Sequence, residues 1–286
     1  MTRVIDGWRR LLGAQATPVA LPPEYVDSRD CGLVDAVQSG WFLNASDELF
    51  SGFAIGAQDV VLDVGCGAGG ATLFSAARGA HVVFSDVVAE KIEALREKLT
   101  RTPARVVEGL VSDSNPLPLA DAYATRVIAL EVLEHVDDPA KMLAELVRVG
   151  RPGALYLLAV PDPVAEHIQE QCAPAHYFER PNHIRIFERE AFGRLVEDAG
   201  LVIERRAGYG FYWSLWMLIY WAQFKANGEQ HGGETHDVVH PPYAPLLDDW
   251  AQLWYRLIQM PEFAPIKQQL DHLMPKSQVI VARKPA

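Results

Sequence analysis

The chain has little cysteine and little positive charge. Its three cysteines, among 286 residues, are isolated and have no Cys-x-x-Cys spacing, which argues against a disulfide framework and against a cysteine zinc site. Lys and Arg number 26 against 37 Asp and Glu, so the net charge of −11 would repel a phosphate backbone. No basic cluster offsets that charge, and we expect no nucleic-acid partner. The chain also has no internal repeat and no low-complexity tract.

The first residues have no apolar core of the kind found in signal peptides. Asp6 and three arginines surround Trp8 instead. Together with cysteines that resemble reduced thiols, this composition predicts a cytoplasmic protein. About half of the residues are apolar, which is enough to bury the core of a globular domain.

The most informative stretch is Val60–Gly70, where an apolar strand ends in Asp63 and opens into closely spaced glycines. Glycine tolerates positive φ and a close ligand, and the N–H groups of a following helix can face that ligand. The spacing fits both the dinucleotide pattern G-x-G-x-x-G and the pattern D-x-G-x-G, so it does not identify the ligand. Asp63 would repel a pyrophosphate and attract a cation, which favours S-adenosylmethionine (SAM) with its sulfonium and ammonium groups.

Strand-like and helix-like stretches alternate after this turn, which predicts parallel strands joined by helical crossovers. Before it, we expect two short helices, at Leu33–Trp41 and Ala45–Phe53. A helix at Arg189–Ala199, ended by Gly200, precedes two last strands, Leu201–Arg206 and Ser277–Ala282. The alternating stretches are Val60–Asp63, Ala71–Ala77, His81–Ser85, Ala89–Thr100, Arg105–Glu108, Arg126–Leu130, Pro139–Val149 and Ala154–Val160.

Several independent segments resemble the class I SAM-dependent methyltransferases, in particular the bacterial group that acts on small molecules. The resemblance runs from about residue 59 to residue 285. The segments are VLDVGCGAGG, FSDVVAEKI, DSNPLPL, ALEVLEHVDDP, LVRVGRPGALYLLAVP, NHIRIFEREAFGRLVEDAGLVIE and SQVIVARKP.

The resemblance implies an α/β fold, with a Rossmann-like, mostly parallel seven-stranded sheet, an antiparallel last strand and the strand order 3-2-1-4-5-7-6. A helical preface and a helical insertion between the last two strands complete the expected fold. We predict a lid segment at 1–58, a SAM-binding core at 59–207, a cap insertion at 208–276 and a final strand and tail at 277–286.

The resemblance also assigns cofactor contacts. Asp86 would accept hydrogen bonds from the ribose hydroxyls, although the same acid would serve NAD or cap a turn. Asp113 would bind the adenine amine, with Leu110 or Val111 as an alternative apolar wall. Asp63 would lie near the amino group of SAM, and Glu131 near its methionine end. The full predicted set for SAM, or for its product S-adenosylhomocysteine, is Asp63, Gly65, Cys66, Gly67, Asp86, Val87, Asp113, Ser114 and Glu131.

Histidines supply the candidates for a general base. His176 and His183, like His167, fall between the fifth strand and the next helix, a region that faces substrate in this family. His135 follows the fourth strand. A histidine with a near-neutral pKa could deprotonate an acceptor; a purely structural role is the alternative for each. We list His183, His176 and His135 as catalytic candidates.

The sequence allows alternative interpretations for two features of the insertion. The uncharged, aromatic stretch 208–224 predicts a buried or lid helix, with a homodimer seam or a membrane-surface contact as alternatives. His231, His236 and His240 could bind a divalent ion but have no recognised ligand spacing, so we predict a solvated loop and no metal.

The combined evidence predicts a SAM-dependent methyltransferase that acts on an oxygen, nitrogen or carbon nucleophile of a small, apolar or amphipathic acceptor. The alternatives are an NAD(P)-dependent oxidoreductase and a SAM-binding scaffold without turnover.

Overall fold

The computed structural model describes residues 26–228 and 241–286, so His231, His236 and His240 lie outside the described residues. Its first element is helix α1 (Ser28–Gln38), which begins after the capping side chain of Asp27. Three short antiparallel strands follow: β1 (Trp41–Leu43), β2 (Glu48–Phe50) and β3 (Phe53–Ala54).

The helix predicted at Ala45–Phe53 is therefore wrong, and the helix predicted at Leu33–Trp41 begins earlier and ends before Trp41. The physical reason is the turn chemistry. Gly40, Asp47 and Gly52 all have positive φ, which interrupts a helix and allows tight connections between strands. Leu49, Phe50 and Phe53 are instead buried against the main core.

A seven-stranded sheet forms the centre of the protein. Its strands are β4 (Val60–Val64), β5 (His81–Asp86), β6 (Val106–Val111), β7 (Ala124–Leu130), β8 (Gly150–Pro161), β9 (Val202–Tyr209) and β10 (Ser277–Arg283). The order is β6-β5-β4-β7-β8-β10-β9, and β10 runs antiparallel to both of its neighbours. The predicted strand order, parallel core and antiparallel last strand are confirmed.

Alternate side chains of the strands point to two apolar layers. On one face, α2 (Gly70–Ala77), α3 (Ala89–Leu99) and the three small strands pack against residues such as Val61 and Ile128. On the other, α4 (Pro139–Val149) and α6 (Arg189–Asp198) pack against residues such as Leu62 and Val127. Between β8 and α6 lies α5 (Pro163–Gln169), which begins after the capping residue Asp162. Strands β4, β5, β8 and β10 are largely buried, which explains their mostly apolar sequences.

β6 and β9 each extend three residues beyond their predicted ends. β6 continues through Gly109 to Val111, β9 continues to Tyr209, and the next helix begins at Phe211. A Cβ atom at Gly109 would lie 2.8 Å from Cγ2 of Ile92 and 2.9 Å from Cζ of Phe84. Glycine there marks close packing rather than the end of a strand. The division of the chain at 58, 207 and 276 stays a prediction.

The insertion is helical in its described part, as predicted. It contains α7 (Phe211–Asn227), α8 (Pro245–Ile258) and α9 (Ala264–Leu273). Tyr212, Trp216 and Trp221 on α7 are buried in a third apolar cluster with α1 and α8. Among the described helices, none is long and apolar enough to cross a membrane.

Buried charges join the cap to α1. Nζ of Lys267 lies 3.1 Å from Oδ1 of Asp35 on α1 and 2.6 Å from Oδ2 of Asp271. Asp271 also accepts hydrogen bonds from the backbone N–H groups of Gly210 (3.0 Å) and Phe211 (2.9 Å), which satisfies the start of α7. These contacts hold three separate segments of the chain in one arrangement.

Candidate active site

The glycine turn after β4 is built from residues in the left-handed region. Gly65, Gly67 and Gly69 have φ values of 67°, 49° and 87°. A Cβ atom at Gly65 would lie 2.4 Å from Cγ2 of Val132, so this glycine lets the loop after β7 pack against the turn. A Cβ atom at Gly67 would meet nothing nearer than the Gly65 carbonyl oxygen, at 3.9 Å. The space beside Gly67 is therefore open to a ligand.

A cavity of about 290 Å³ adjoins this turn. Its lining combines residues of the turn and the start of α2 with three aromatic residues. Among the described residues, the lining is Ala36, Trp41, Phe42, Asp63, Gly65, Cys66, Gly67, Gly70, Ala71, Leu130 and Tyr209. Four predicted cofactor residues therefore meet in one cavity, whereas no described residue of the insertion lines it.

Asp63 is a buried acid in the lining of this cavity. Burial raises the pKa of its carboxyl to about 6, the nearby Asp86 carboxylate adds to the rise, and a hydrogen bond from Thr72 Oγ1 (2.5 Å) opposes it. The carboxyl thus titrates not far below neutral pH. A cation bound in the cavity would stabilise its ionised form.

Asp86 closes the turn from the end of β5. Its Oδ2 accepts the Gly67 N–H (3.1 Å), and its Oδ1 accepts the Val88 N–H (3.0 Å). Each carboxylate oxygen has a further lone pair, so two hydroxyl groups could still donate to it. Burial raises the pKa of the neighbouring Cys66 thiol, which keeps this cavity-lining side chain neutral at physiological pH.

Three of the predicted cofactor residues lie in the loops after β5 and β6. Val87 is exposed, and so is Asp113, whose Oδ1 accepts the N–H of Asn115 (3.0 Å) in a local turn. Ser114 is buried and has a φ of 62°. None of the three lines the cavity described above. Their contacts with adenine stay a prediction.

Glu131 stands at the end of β7 with an unusual backbone. Its φ is 57°, a conformation that costs a non-glycine residue about 1 kcal/mol or more. Its side chain forms an ion pair with Lys276, which precedes β10. The Leu130 side chain before it lines the cavity. Burial, with a contribution from Glu131, raises the pKa of the cavity residue Tyr209 to about 12.

The structure brings two of the three catalytic candidates together. The rings of His135 and His183 are 5.2 Å apart, and Nδ1 of His183 lies 2.7 Å from Oε2 of the buried Glu166. Burial lowers the pKa of His135, and His183 adds to that effect. Glu134, fully buried beside them, has a pKa well above its usual range because of burial and the nearby Glu131.

The remaining histidines of the connector lie in other settings. His176 belongs to the short 3-10 turn Ala175–Phe178, and its backbone carbonyl accepts a hydrogen bond from the Asn182 side chain (3.1 Å). His167 is an exposed residue between Glu170 and Glu188, whose carboxylates raise its pKa. Neither residue lines the cavity at the glycine turn. Catalysis by a histidine stays a prediction.

Sequence reasoning missed the aromatic wall and the basic partner of Glu131. The predicted helices include or adjoin Trp41 and Phe42, and the predicted cap at 208–276 contains Tyr209 and Lys276. No motif distinguishes Lys276, a single lysine before a strand. The usable signal was the density of aromatic residues between 41 and 53, which is typical of short strands that cover a core.

The sequence matches a known family in its central part. Residues 62–158 match the family model of a methyltransferase domain. The methyltransferase GfsG from Streptomyces halstedii is 32% identical over 164 residues, which cover 54% of this chain and 57% of that protein. The chain spans from about a third to just over half of the length of the first curated relatives that it matches.

Solved structures show the same fold. The [4+2]-cyclase SpnF is 20% identical with a TM-score of 0.53, covering 99% of this chain and 94% of that one. Geranyl diphosphate methyltransferase in complex with SAM is 17% identical with a TM-score of 0.50, covering 81% and 80%. The oxidoreductase alternative gains no support from these matches. Residues 62–158 therefore match a methyltransferase domain, and the strand order is the one that the resemblance to the class I SAM-dependent methyltransferases implies.

Proposed function

We propose that this protein transfers a methyl group from SAM to an oxygen, nitrogen or carbon nucleophile of a small, apolar or amphipathic acceptor. The observation that carries the proposal is the shared cavity. The glycine turn with Asp63 forms one wall, and Trp41, Phe42 and Tyr209 contribute the facing aromatic surface. A single cavity could therefore accept a cationic cofactor and an apolar molecule side by side.

The residues of the turn suit SAM. Gly67 leaves room for close approach, and the free lone pairs of Asp86 suit the two ribose hydroxyls. The ionised Asp63 carboxylate would attract the positive charge of the cofactor. SAM supplies a methyl group that its sulfonium already activates, so the protein has mainly to align the partners and exclude water.

The aromatic wall supports an apolar or amphipathic acceptor. Trp41 and Tyr209 pack against each other with ring centroids 5.0 Å apart, which makes a rigid surface for apolar contact. The indole N–H of Trp41 is buried and has no hydrogen-bond partner among the described residues. A polar atom of the acceptor would satisfy that donor.

The other expectations about partners rest on composition and burial. The net charge of −11 continues to argue against nucleic acid. No residue in 211–224 is more than partly exposed except Ala222, so the stretch is covered by its own chain. That burial favours the packed helix over a homodimer seam or a membrane contact. The cytoplasmic location stays a prediction.

Calorimetry with SAM, S-adenosylhomocysteine and NADH tests the cofactor. We expect micromolar binding of the first two and a loss of about 10- to 150-fold for Asp86→Ala, since hydrogen bonds to a charged acceptor contribute about 1.5–3 kcal/mol. Asp198→Ala, an exposed acid at the end of α6, is the matched control. Binding of NADH without SAM would refute the proposal.

Turnover is tested separately. Radiolabelled methyl transfer from SAM to a panel of phenols, amines and apolar acids should yield labelled product with at least one acceptor. Trp41→Ala should weaken acceptor binding more than SAM binding. Tight SAM binding without any transfer across such a panel would favour the scaffold alternative.

A further inference from the structure

The loop after β7 and the connector before α6 meet at a cluster of potential metal ligands. One ligand atom from each of Glu134, His135 and His183 lies within 4.8 Å of the other two. The backbone places them there, because the Ile184 N–H donates to the carbonyl oxygen of Glu134 (3.1 Å). The cluster is separate from the residues that line the cavity at the glycine turn.

Glu134 carries the first argument for a bound cation. Its side chain is fully buried, and neither carboxylate oxygen has a hydrogen-bond partner among the described residues. Nε2 of His135 lies 3.7 Å from Oε1 of Glu134, which is too long for a hydrogen bond. A buried carboxylate is costly unless it is paired or coordinates a metal.

The two histidines carry the second argument. Nδ1 of His135 lies 2.9 Å from the carbonyl oxygen of Asn182 and 3.0 Å from that of Pro181. A carbonyl oxygen only accepts, so Nδ1 bears the hydrogen and Nε2 keeps its lone pair. Nδ1 of His183 is likewise held by the Glu166 carboxylate, at 2.7 Å. In both rings a second group fixes the tautomer that leaves Nε2 free to bind a metal, the usual arrangement of metal-ligating histidines.

We propose that Glu134, His135 and His183 bind one divalent transition-metal ion, with zinc(II) as the best match. Two imidazole nitrogens and one carboxylate oxygen form the donor set of open zinc sites, which keep a coordination position for water or substrate. Magnesium and calcium prefer all-oxygen sites, so they should bind poorly here. Glu131 is not included, because its side chain is paired with Lys276. This site goes beyond the proposed function and does not depend on it.

Metal binding by the full chain tests the proposal directly. The protein should be purified without a polyhistidine tag, stripped with a chelator and titrated with Zn²⁺ and, separately, with Mg²⁺ by calorimetry. We expect one Zn²⁺ per chain and no comparable Mg²⁺ binding. Glu134→Gln and His183→Ala should each weaken Zn²⁺ binding by about 100-fold or more, and Glu166→Gln by about 10- to 100-fold, because it only orients a ligand.

Two controls separate this site from other histidines. His167→Ala removes an exposed histidine of the same connector. A triple change of His231, His236 and His240 to Ala removes the three histidines between the two described ranges. Both should bind Zn²⁺ as the parent does. Cobalt(II) supplies a second readout, since its visible absorption bands should appear with the parent protein and disappear with Glu134→Gln.

The outcomes against the proposal are distinct. It is overturned if the parent binds no Zn²⁺, if binding survives Glu134→Gln and His183→Ala, or if the triple change removes it. Should Glu134→Gln fail to fold, the graded loss with Glu166→Gln decides the question. Because these titrations contain no SAM, a negative result leaves the proposed methyl transfer standing.

Discussion

The buried Asp63 should make SAM binding depend on pH. Burial raises the pKa of its carboxyl to about 6, against 3.8 for an ordinary aspartate. Only the ionised form attracts the sulfonium and ammonium charges of SAM. With a pKa of about 6, roughly a tenth of the molecules carry that charge at pH 5 and roughly nine tenths at pH 7. We therefore expect SAM affinity to fall about tenfold from pH 7 to pH 5.

The same group should also affect stability. A carboxyl whose pKa is raised on folding stabilises the folded state at low pH, where it is protonated. That contribution to the free energy of unfolding is lost as the pH rises through about 6. Between pH 5 and pH 8 the ionisation of Asp63 should lower the free energy of unfolding by about 1.4 kcal/mol. Asp63→Asn keeps an acceptor for the hydroxyl of Thr72 but cannot titrate, so it should lack this slope.

The assay compares the parent protein with Asp63→Asn. Calorimetry from pH 5 to pH 7 gives the SAM affinity, and urea unfolding from pH 5 to pH 8 gives the stability. Other titrating groups act on both proteins, so the difference between them isolates Asp63. Affinity curves with the same pH slope in both proteins would show that this carboxyl does not bind the cofactor charge.

Three further changes test other parts of the structure. Gly67→Val should abolish SAM binding in a folded protein, because the valine side chain would enter the open space of the cavity. Gly153→Val is the matched control for backbone strain, since Gly153 has a φ of 80° and nothing within 4 Å of an added Cβ atom. Equal SAM binding by both variants would mean that the glycine turn has only a structural role. Lys267→Met should cost about 3–5 kcal/mol in urea unfolding by leaving Asp35 and Asp271 unpaired, and an unchanged midpoint would contradict this ion network. Trp213→Ala with Trp216→Ala should lower the melting temperature sharply, since truncating a buried tryptophan costs about 3–5 kcal/mol of stability. A stable, monodisperse variant would mean that the stability of the cap does not depend on these rings.

Local sequence signals determined most of the fold. The strands β4, β5, β7 and β10 are short apolar runs bounded by turn residues, and parallel crossovers follow from the helices between them. The Asp63 to Gly70 turn was recognisable because positive φ demands glycine at fixed spacings. The strand order and the antiparallel last strand came from the resemblance, since no local pattern encodes which strands are neighbours.

Tertiary structure decided what faces the site. The stretch 45–53 has an amphipathic pattern that fits a helix, but glycines and Asp47 at positive φ turn residues 41–54 into strands, and Trp41 then reaches the cavity. His135 and His183 are far apart in sequence. The pairing of Ile184 with Glu134 and the contacts of His135 with the carbonyls of Pro181 and Asn182 bring their rings together. Local propensity acts over a few residues, whereas a cavity wall or a ligand cluster depends on contacts between distant segments, and those contacts form only when the whole core packs.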